Sequence, residues 1–422
     1  EAKQSKCPNV SRRWKIAVIT VLVVLCIAVI GVIIAAAIVT RTPNATLGPP
    51  ITSSLADNFR GDKVVVIGGG AAGLFAAYTL AYLGVDFQLL EASDGFGGRV
   101  QELPAGAFAD VPIDLGAEWI HVNPKVLQDL LLFDDEVDVR TIVYQPQTIA
   151  THPRNKRRSM NWFRFFYREH KFYNTTWWSY LDEYVYPYVA DRVELNAVVT
   201  SIDFRDANQV TVQTSDGQQF TGSHVIVATP VSVLQDGDIE FSPGLPDPKL
   251  RALGDVYMTA GLKAWVEFDE RFYPDVQMAG DLASFLSDDS PVYFDAVFRK
   301  PSNKNILALF QVGGQSGTYD RVKLTDEAIL QSVMQELDEI FDGKATEHYV
   351  MSYVQNWSSQ PHIKGAYSYN DYDMAQLIQP IDSRIYFCGE YLNYDDQATV
   401  HGAAISGQDT VRRLVLDSSL EL

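Results

Sequence analysis

Hydrophobic positions along the chain change their period several times, and each change marks an element. Residues 16–39 form an apolar run without a single charge, unlike anything that follows. From Lys63 the pattern shortens. Val64-Val65-Val66-Ile67 is uniformly apolar, as for a strand buried on both faces. Residues 74–83 are rich in Ala and Leu and predict a helix, and residues 87–90 predict a second strand. Gly84 stands between them, where a helix can end on a left-handed residue. Residues 124–133 and 177–188 predict helices, the latter with an aromatic face, and 140–144 a strand; 134–190 is otherwise the least regular stretch. Strands follow at 193–196 and 198–204, then a hairpin of 210–213 with 218–221 across Ser215-Asp216-Gly217. Residues 224–228, 262–268, 292–298 and 306–312 predict further strands, 325–341 an amphipathic helix, and 384–387 a last buried strand before a helix beginning near Ala398. No internal repeat or low-complexity segment interrupts this order.

Between the first strand and the first helix lies Gly68-Gly69-Gly70-Ala71-Ala72-Gly73, and the second strand ends in Glu91. Strand, glycine turn, helix, strand, acid is the order a dinucleotide-binding unit needs. Gly68 permits the tight turn, Gly70 lets the backbone approach a pyrophosphate, and Gly73 lets helix and strand pack closely. The helix N-terminus offers free N–H groups to phosphates, and Glu91 can accept from ribose hydroxyls.

The run at 16–39 is long enough to cross a bilayer. Lys3, Lys6, Arg12, Arg13 and Lys15 precede it and Arg41 alone follows closely. That asymmetry predicts a cytosolic tail (1–15), a transmembrane anchor (16–39) and a lumenal or extracellular remainder; a signal peptide would carry a shorter apolar region. Residues 40–60, with Pro43, Gly48, Pro49 and Pro50, read as a linker. Asn44-Ala45-Thr46 and Asn174-Thr175-Thr176 are glycosylation acceptors of the kind such a placement allows. Of the 34 Lys and Arg, six lie at or before Arg41, with one of the 53 Asp and Glu, leaving 28 against 52 beyond it. So acidic a remainder repels nucleic acid and either draws in small cations or only aids solubility. Three cysteines, one of them (Cys388) in the globular part, exclude a disulfide framework there.

Gly95-Phe96-Gly97-Gly98-Arg99 adds a second glycine turn with a cation, and Asp114-Leu115-Gly116-Ala117-Glu118-Trp119-Ile120-His121 follows. Here the sequence resembles the flavin-dependent amine oxidases, in the form typical of polyamine oxidases and related histone lysine demethylases. The likeness resumes at Leu195-Asn196-Ala197-Val198, at Asn356-Trp357 with Gly365-Ala366-Tyr367-Ser368-Tyr369, and at Gly389-Glu390 with residues 398–407. It implies an α/β protein with an α+β substrate part: a Rossmann-like FAD-binding domain (61–124, 191–243 and 377–415) and a discontinuous substrate domain (125–190 and 244–376), preceded by the one transmembrane helix.

The resemblance also implies roles. FAD, held non-covalently, would be bound by Gly68, Gly70, Ala72, Gly73, Glu91, Gly98, Arg99, Val198, Trp357, Gly389, Glu390, Thr399 and Val400. Lys263 matches the lysine that holds a water against the flavin, Tyr367 the aromatic that cages the amine, and His121 the residue near the substrate nitrogen. From the residues alone, Lys263 could instead face solvent, Tyr367 be an ordinary core tyrosine, and His121 a structural histidine. No metal is expected. The implied reaction is oxidation of an amine, polyamine-type, to an imine and aldehyde with O₂ as acceptor, releasing H₂O₂. An oxidase of L-amino acids and a flavin-binding interaction module with reduced catalysis stay open. Only about seventy residues separate His121 from the strand at Val193, fewer than polyamine oxidases generally carry, so part of the substrate domain is missing or replaced.

Overall fold

The computed structural model describes residues 42–152, 158–160, 169–281, 290–313, 317–369 and 372–419. In chain order, the elements that build the site begin with β1 (Val64–Ile67), α1 (Ala71–Leu83), β2 (Phe87–Leu90), β3 (Val193–Glu194) and β4 (His224–Val227). They continue with β5 (Gly261–Phe268), β6 (Val276–Met278), β7 (Val292–Asp295), β8 (Asn305–Val312) and α2 (Asp326–Phe341). Last come β9 (Tyr349–Asn356), β10 (Ile385–Phe387) and α3 (Val400–Ser418).

Five of these strands form a parallel sheet in the order β3-β2-β1-β4-β10. Its central strand β1 is buried along its whole length, which is why its apolar run shows no alternation. Val64 and Val66 meet α1 and α3 on one face through Leu74, Tyr78, Ala404 and Val411. Val65 and Ile67 meet Ile202, Val212, Leu253 and Leu377 on the other. Helix α1 starts at Ala71, three residues before the expected start and directly on the glycine turn, and ends at Gly84 with φ 68°. The hairpin forms from Val210–Thr214 and Gln219–Gly222.

A second, seven-stranded sheet runs β9-β5-β8-β7-β6 and then Ile149–Thr151 and Arg158–Ser159. Strand β5 lies inside it, paired antiparallel to β8 and β9. Its alternation divides two cores. Leu262, Ala264 and Val266 pack under α2 against Ile329, Val333 and Leu337. Trp265 packs on the opposite face with Phe294, Ala308 and the segment around Leu115. Lys263 shares the Trp265 face by strand parity, and it is buried.

Several expectations change. The anchor expected over 16–39 lies outside the described residues. Among the described residues no helix is long and apolar enough to cross a membrane. The apolar α1 has 13 residues, and α3, with 19, carries Asp409, Arg412, Arg413 and Asp417. Over the described residues the fold class is therefore corrected to the Rossmann-like part and the discontinuous substrate part. The cytosolic tail, the membrane as partner, and the lumenal or extracellular placement drawn from that segment are dropped with it. The stretch read as a linker packs on the first core through Ala45, Ile51, Leu55 and Phe59, and the Pro43 carbonyl accepts from the Asn123 N–H at 2.7 Å. The helix expected over 124–133 shrinks to Val126–Asp129. That over 177–188 stops at Tyr184 and passes into a tighter turn at Tyr186–Tyr188, where Pro187 has no N–H to continue an α-helix.

Candidate active site

The glycine turn is shaped by two requirements. Gly68 has φ 105°, and a Cβ on Gly73 would lie 1.8 Å from the Gly68 carbonyl oxygen. Gly70 faces open space, its nearest neighbour being the Gly97 carbonyl at 4.0 Å from where a Cβ would sit. Glu91 closes the turn from behind. Its Oε2 accepts from the Gly69 N–H at 2.6 Å and its Oε1 from the Ser93 N–H at 2.8 Å. The second glycine turn is tied to the first by the Gly97 N–H, which donates to the Gly69 carbonyl at 2.8 Å. Arg99 then reaches Glu390 at 3.1 Å. Glu390 also accepts from the Ser368 N–H at 3.1 Å and hydroxyl at 2.6 Å. Thr399 caps α3 by accepting from the Gly402 N–H at 3.0 Å, so the helix begins at Val400 with its N-terminus toward the same space.

That space is a continuous cavity of about 1150 Å³ between the two sheets. Every expected site residue except Gly73 lines it, Lys263, His121 and Tyr367 included. Gly73 lies beneath the turn, where it makes room for Gly68. The Val198 carbonyl is engaged by the Ser215 N–H at 2.8 Å, and the Trp357 indole donates to the Leu115 carbonyl at 3.2 Å.

Lys263 projects from β5 onto the 114–118 loop. Its ammonium donates to the Asp114 carbonyl at 3.0 Å, the Gly116 carbonyl at 3.0 Å and Glu118 Oε2 at 3.1 Å. Three N–H donors thus have three acceptors. Glu118 turns its other oxygen, Oε1, to a second buried ammonium, Lys171. Lys171 is enclosed by Trp119, Tyr144 and Phe294, whose ring centres lie 4.3, 4.9 and 4.7 Å from its Nζ. Burial opposes the Glu118 charge, but Lys171, Lys263 and Lys300 outweigh it and hold the carboxyl down at about 2. Burial brings the Lys171 ammonium down to about 8, against the pull of Glu118. Asp114 is pushed up to about 7, chiefly by burial and in part by Glu118, against Lys300 and Lys263. At the cavity wall His121 meets Glu169 at 3.3 Å, both partly exposed.

Sequence reasoning missed Glu118 as a partner of Lys263, and with it Lys171, Glu169 and Ser368. Glu118 stood inside a block already singled out. Lys171 carried a signal of its own, a lysine beside Phe172 in an aromatic stretch.

The sequence matches the family model for flavin containing amine oxidoreductases over residues 159–415, and that for an NAD(P)-binding Rossmann-like domain over 66–132. The chain belongs to the flavin containing amine oxidoreductase family. It is 29% identical over 234 residues to polyamine oxidase 1 of Zea mays, covering 54% of this chain and 46% of that one. To polyamine oxidase 2 of Arabidopsis thaliana it is 25% identical over 439 residues, covering 82% and 87%. The chain thus spans about half the length of the maize relative and most of the Arabidopsis one. Among solved structures it is similar to a wild-type putrescine oxidase bound to putrescine, with a TM-score of 0.67, 17% identity, and coverage of 83% of this chain and 98% of that one. At that identity the likeness is one of fold.

Proposed function

We propose that this amine oxidoreductase uses FAD to oxidise a small amine, polyamine-type, with O₂ as acceptor. One observation carries the reading. A single cavity joins the dinucleotide turn of the first sheet to a buried lysine of the second and to Tyr367. The residues present fit FAD: the space beside Gly70 is one a side chain would fill, the first N–H groups of α1 have no partner within the helix, and Arg99 lines the wall. Cys388, the one free cysteine among the described residues, is fully buried, in keeping with a non-covalent cofactor.

When bound, FAD would supply the two-electron acceptor for the amine and the means by which those electrons reach O₂. The chain's own residues bind and orient. Gly68, Gly70, Ala72 and the α1 N-terminus would hold phosphate, with Gly98 and Arg99 opposite, and Glu91 would keep lone pairs for ribose hydroxyls. Val198 lies beside the nucleotide end, Gly389, Glu390, Trp357 and Thr399 along the wall, and the N–H of Val400 offers a dipole end that favours negative charge. Tyr367 and His121 border the amine. Lys263, with three donors engaged, acts through its charge rather than through a free donor to water, which changes the role the resemblance implied.

An L-amino-acid oxidase needs a cation for the substrate carboxylate. Of the Lys and Arg on the described wall, Lys263 is paired with Glu118 and Lys364 with Asp236 and Asp238, while Arg99, paired with Glu390, keeps its spare donors for the cofactor phosphates. Peroxide release by the purified full chain over a panel of spermine, spermidine, their acetyl derivatives, monoamines and L-amino acids tests the reading. Peroxide from the polyamines supports it. Peroxide from L-amino acids alone, or from no compound by an FAD-loaded chain, overturns it.

A further inference from the structure

Behind the cavity wall lies a charge that the amine chemistry does not use. Lys171 is 1% exposed and is absent from the cavity lining, yet it is joined to that lining through Glu118. Taking an ammonium out of water costs several kcal/mol even after relaxation. The box formed by Trp119, Tyr144 and Phe294 would accept an apolar chain of the same length, so packing alone gives no reason for a cation there. A charge count gives one. Lys263 and Glu118 by themselves form a neutral pair, and adding Lys171 leaves these three with one net positive charge, beside the buried Lys300, which also acts on Glu118 and Asp114. Asp114, beside it, does not fully cancel that charge, because burial holds its carboxyl toward the neutral form. In so dry a setting a single unit of charge acts over several ångströms with little screening.

We propose that Lys171, acting through Glu118, is a positioning and tuning residue that keeps the wall carrying Lys263 net positive and thereby raises the electron affinity of the flavin bound against it. The proposal rests on FAD occupying the cavity, but not on which amine is oxidised. A positive wall favours the reduced, more negative form of the cofactor, and the effect has a sign that a purely structural role does not share.

The test is the midpoint potential of the bound flavin, measured by equilibration with a reference dye during slow reduction of the holoenzyme without amine. Lys171→Met removes one positive charge at nearly constant shape, and the potential is expected to become more negative. Glu118→Gln removes the negative charge, and the potential is expected to become more positive. The double variant, Glu118→Gln with Lys171→Met, restores one net positive charge, that of Lys263, whose ammonium keeps the Asp114 and Gly116 carbonyls and gains the amide oxygen of the substituted side chain as acceptors. It is expected to lie nearer the wild-type potential than either single variant, and it keeps the test usable if a single variant fails to fold. A potential unmoved or raised by Lys171→Met, or a double variant displaced in the same direction as Lys171→Met by as much or more, overturns the proposal. Because no amine is present, a flavin that no amine reduces leaves this inference standing, whereas an active oxidase with unshifted potentials removes it alone.

Discussion

Arg99 and Glu390, 291 residues apart in the chain, meet at 3.1 Å on the wall of the cavity. The pair joins the second glycine turn to the segment after β10, so the two ends of the globular part close on one space. Glu390 is further held by the Ser368 N–H and hydroxyl, which leaves Arg99 as the partner with spare donors. Arg99→Met removes those donors and leaves a carboxylate against the cofactor phosphates. FAD affinity of the apoprotein is expected to fall by about 10- to 100-fold, the worth of a hydrogen bond to a charged group. Quenching of FAD fluorescence on titration measures it.

Two glycines separate steric need from mere composition. A Cβ on Gly73 would stand 1.8 Å from a backbone oxygen with no means of moving aside, whereas one on Gly95 meets nothing within 4 Å. Gly73→Ala is expected to abolish FAD retention. Gly95→Ala is expected to keep the wild-type flavin content and a midpoint of thermal unfolding within about 1 °C, since open surface substitutions stay within roughly 0.5 kcal/mol. Flavin absorbance per chain and a thermal melt check both.

What was legible in the sequence followed from short-range pattern. The run Val64–Ile67, the glycines after it and Glu91 declared a unit whose parts touch one another within thirty residues. Lys263 stood out because a lysine in an apolar strand needs a reason, and parity with Trp265 turned it inward rather than to solvent. Its partners were hidden. That Glu118 shares its carboxylate between Lys263 and Lys171 depends on the pairing of Trp119 with Lys171, a contact between remote segments that no local period encodes. Helix ends in 122–192 differ from the pattern for a related reason: Phe133 is placed by its ring contact with Tyr78, Tyr180 by its hydrogen bond to the Leu127 carbonyl and Tyr184 by its contact with Tyr180, rather than by one long helical face. The stretch with Pro43, Pro49 and Pro50 looked like a linker because its contacts, too, are with distant residues such as Asn123 and Arg412.

Asp114 makes stability depend on pH. Burial pushes its carboxyl up to about 7 in the folded chain, from the ordinary carboxylate value near 3.8. Between those values the folded state keeps a proton that the unfolded state has lost, so stability falls as pH rises from about 4 to about 7 and is flat above. The span corresponds to roughly 4 kcal/mol at most. Asp114→Asn retains an acceptor for the Trp177 N–H, which reaches Asp114 Oδ1 at 3.1 Å. The variant is expected to melt above the wild type at pH 8, with the gap closing toward pH 4. A gap that is constant over this range would mean that the carboxyl is not the titrating group.

Anaerobic mixing of the FAD-loaded chain with a polyamine, followed by admission of O₂, tests most directly whether the cavity brings an amine to the cofactor. Loss of the oxidised flavin absorbance before oxygen is admitted, and its return with about one H₂O₂ per flavin afterwards, is the expected result. Lys263→Met should retain FAD and slow one of the two phases by at least about 10-fold, equivalent to about 1.4 kcal/mol in barrier. A flavin that stays oxidised through the anaerobic phase with every amine tried, in a chain that holds FAD fully, would contradict it.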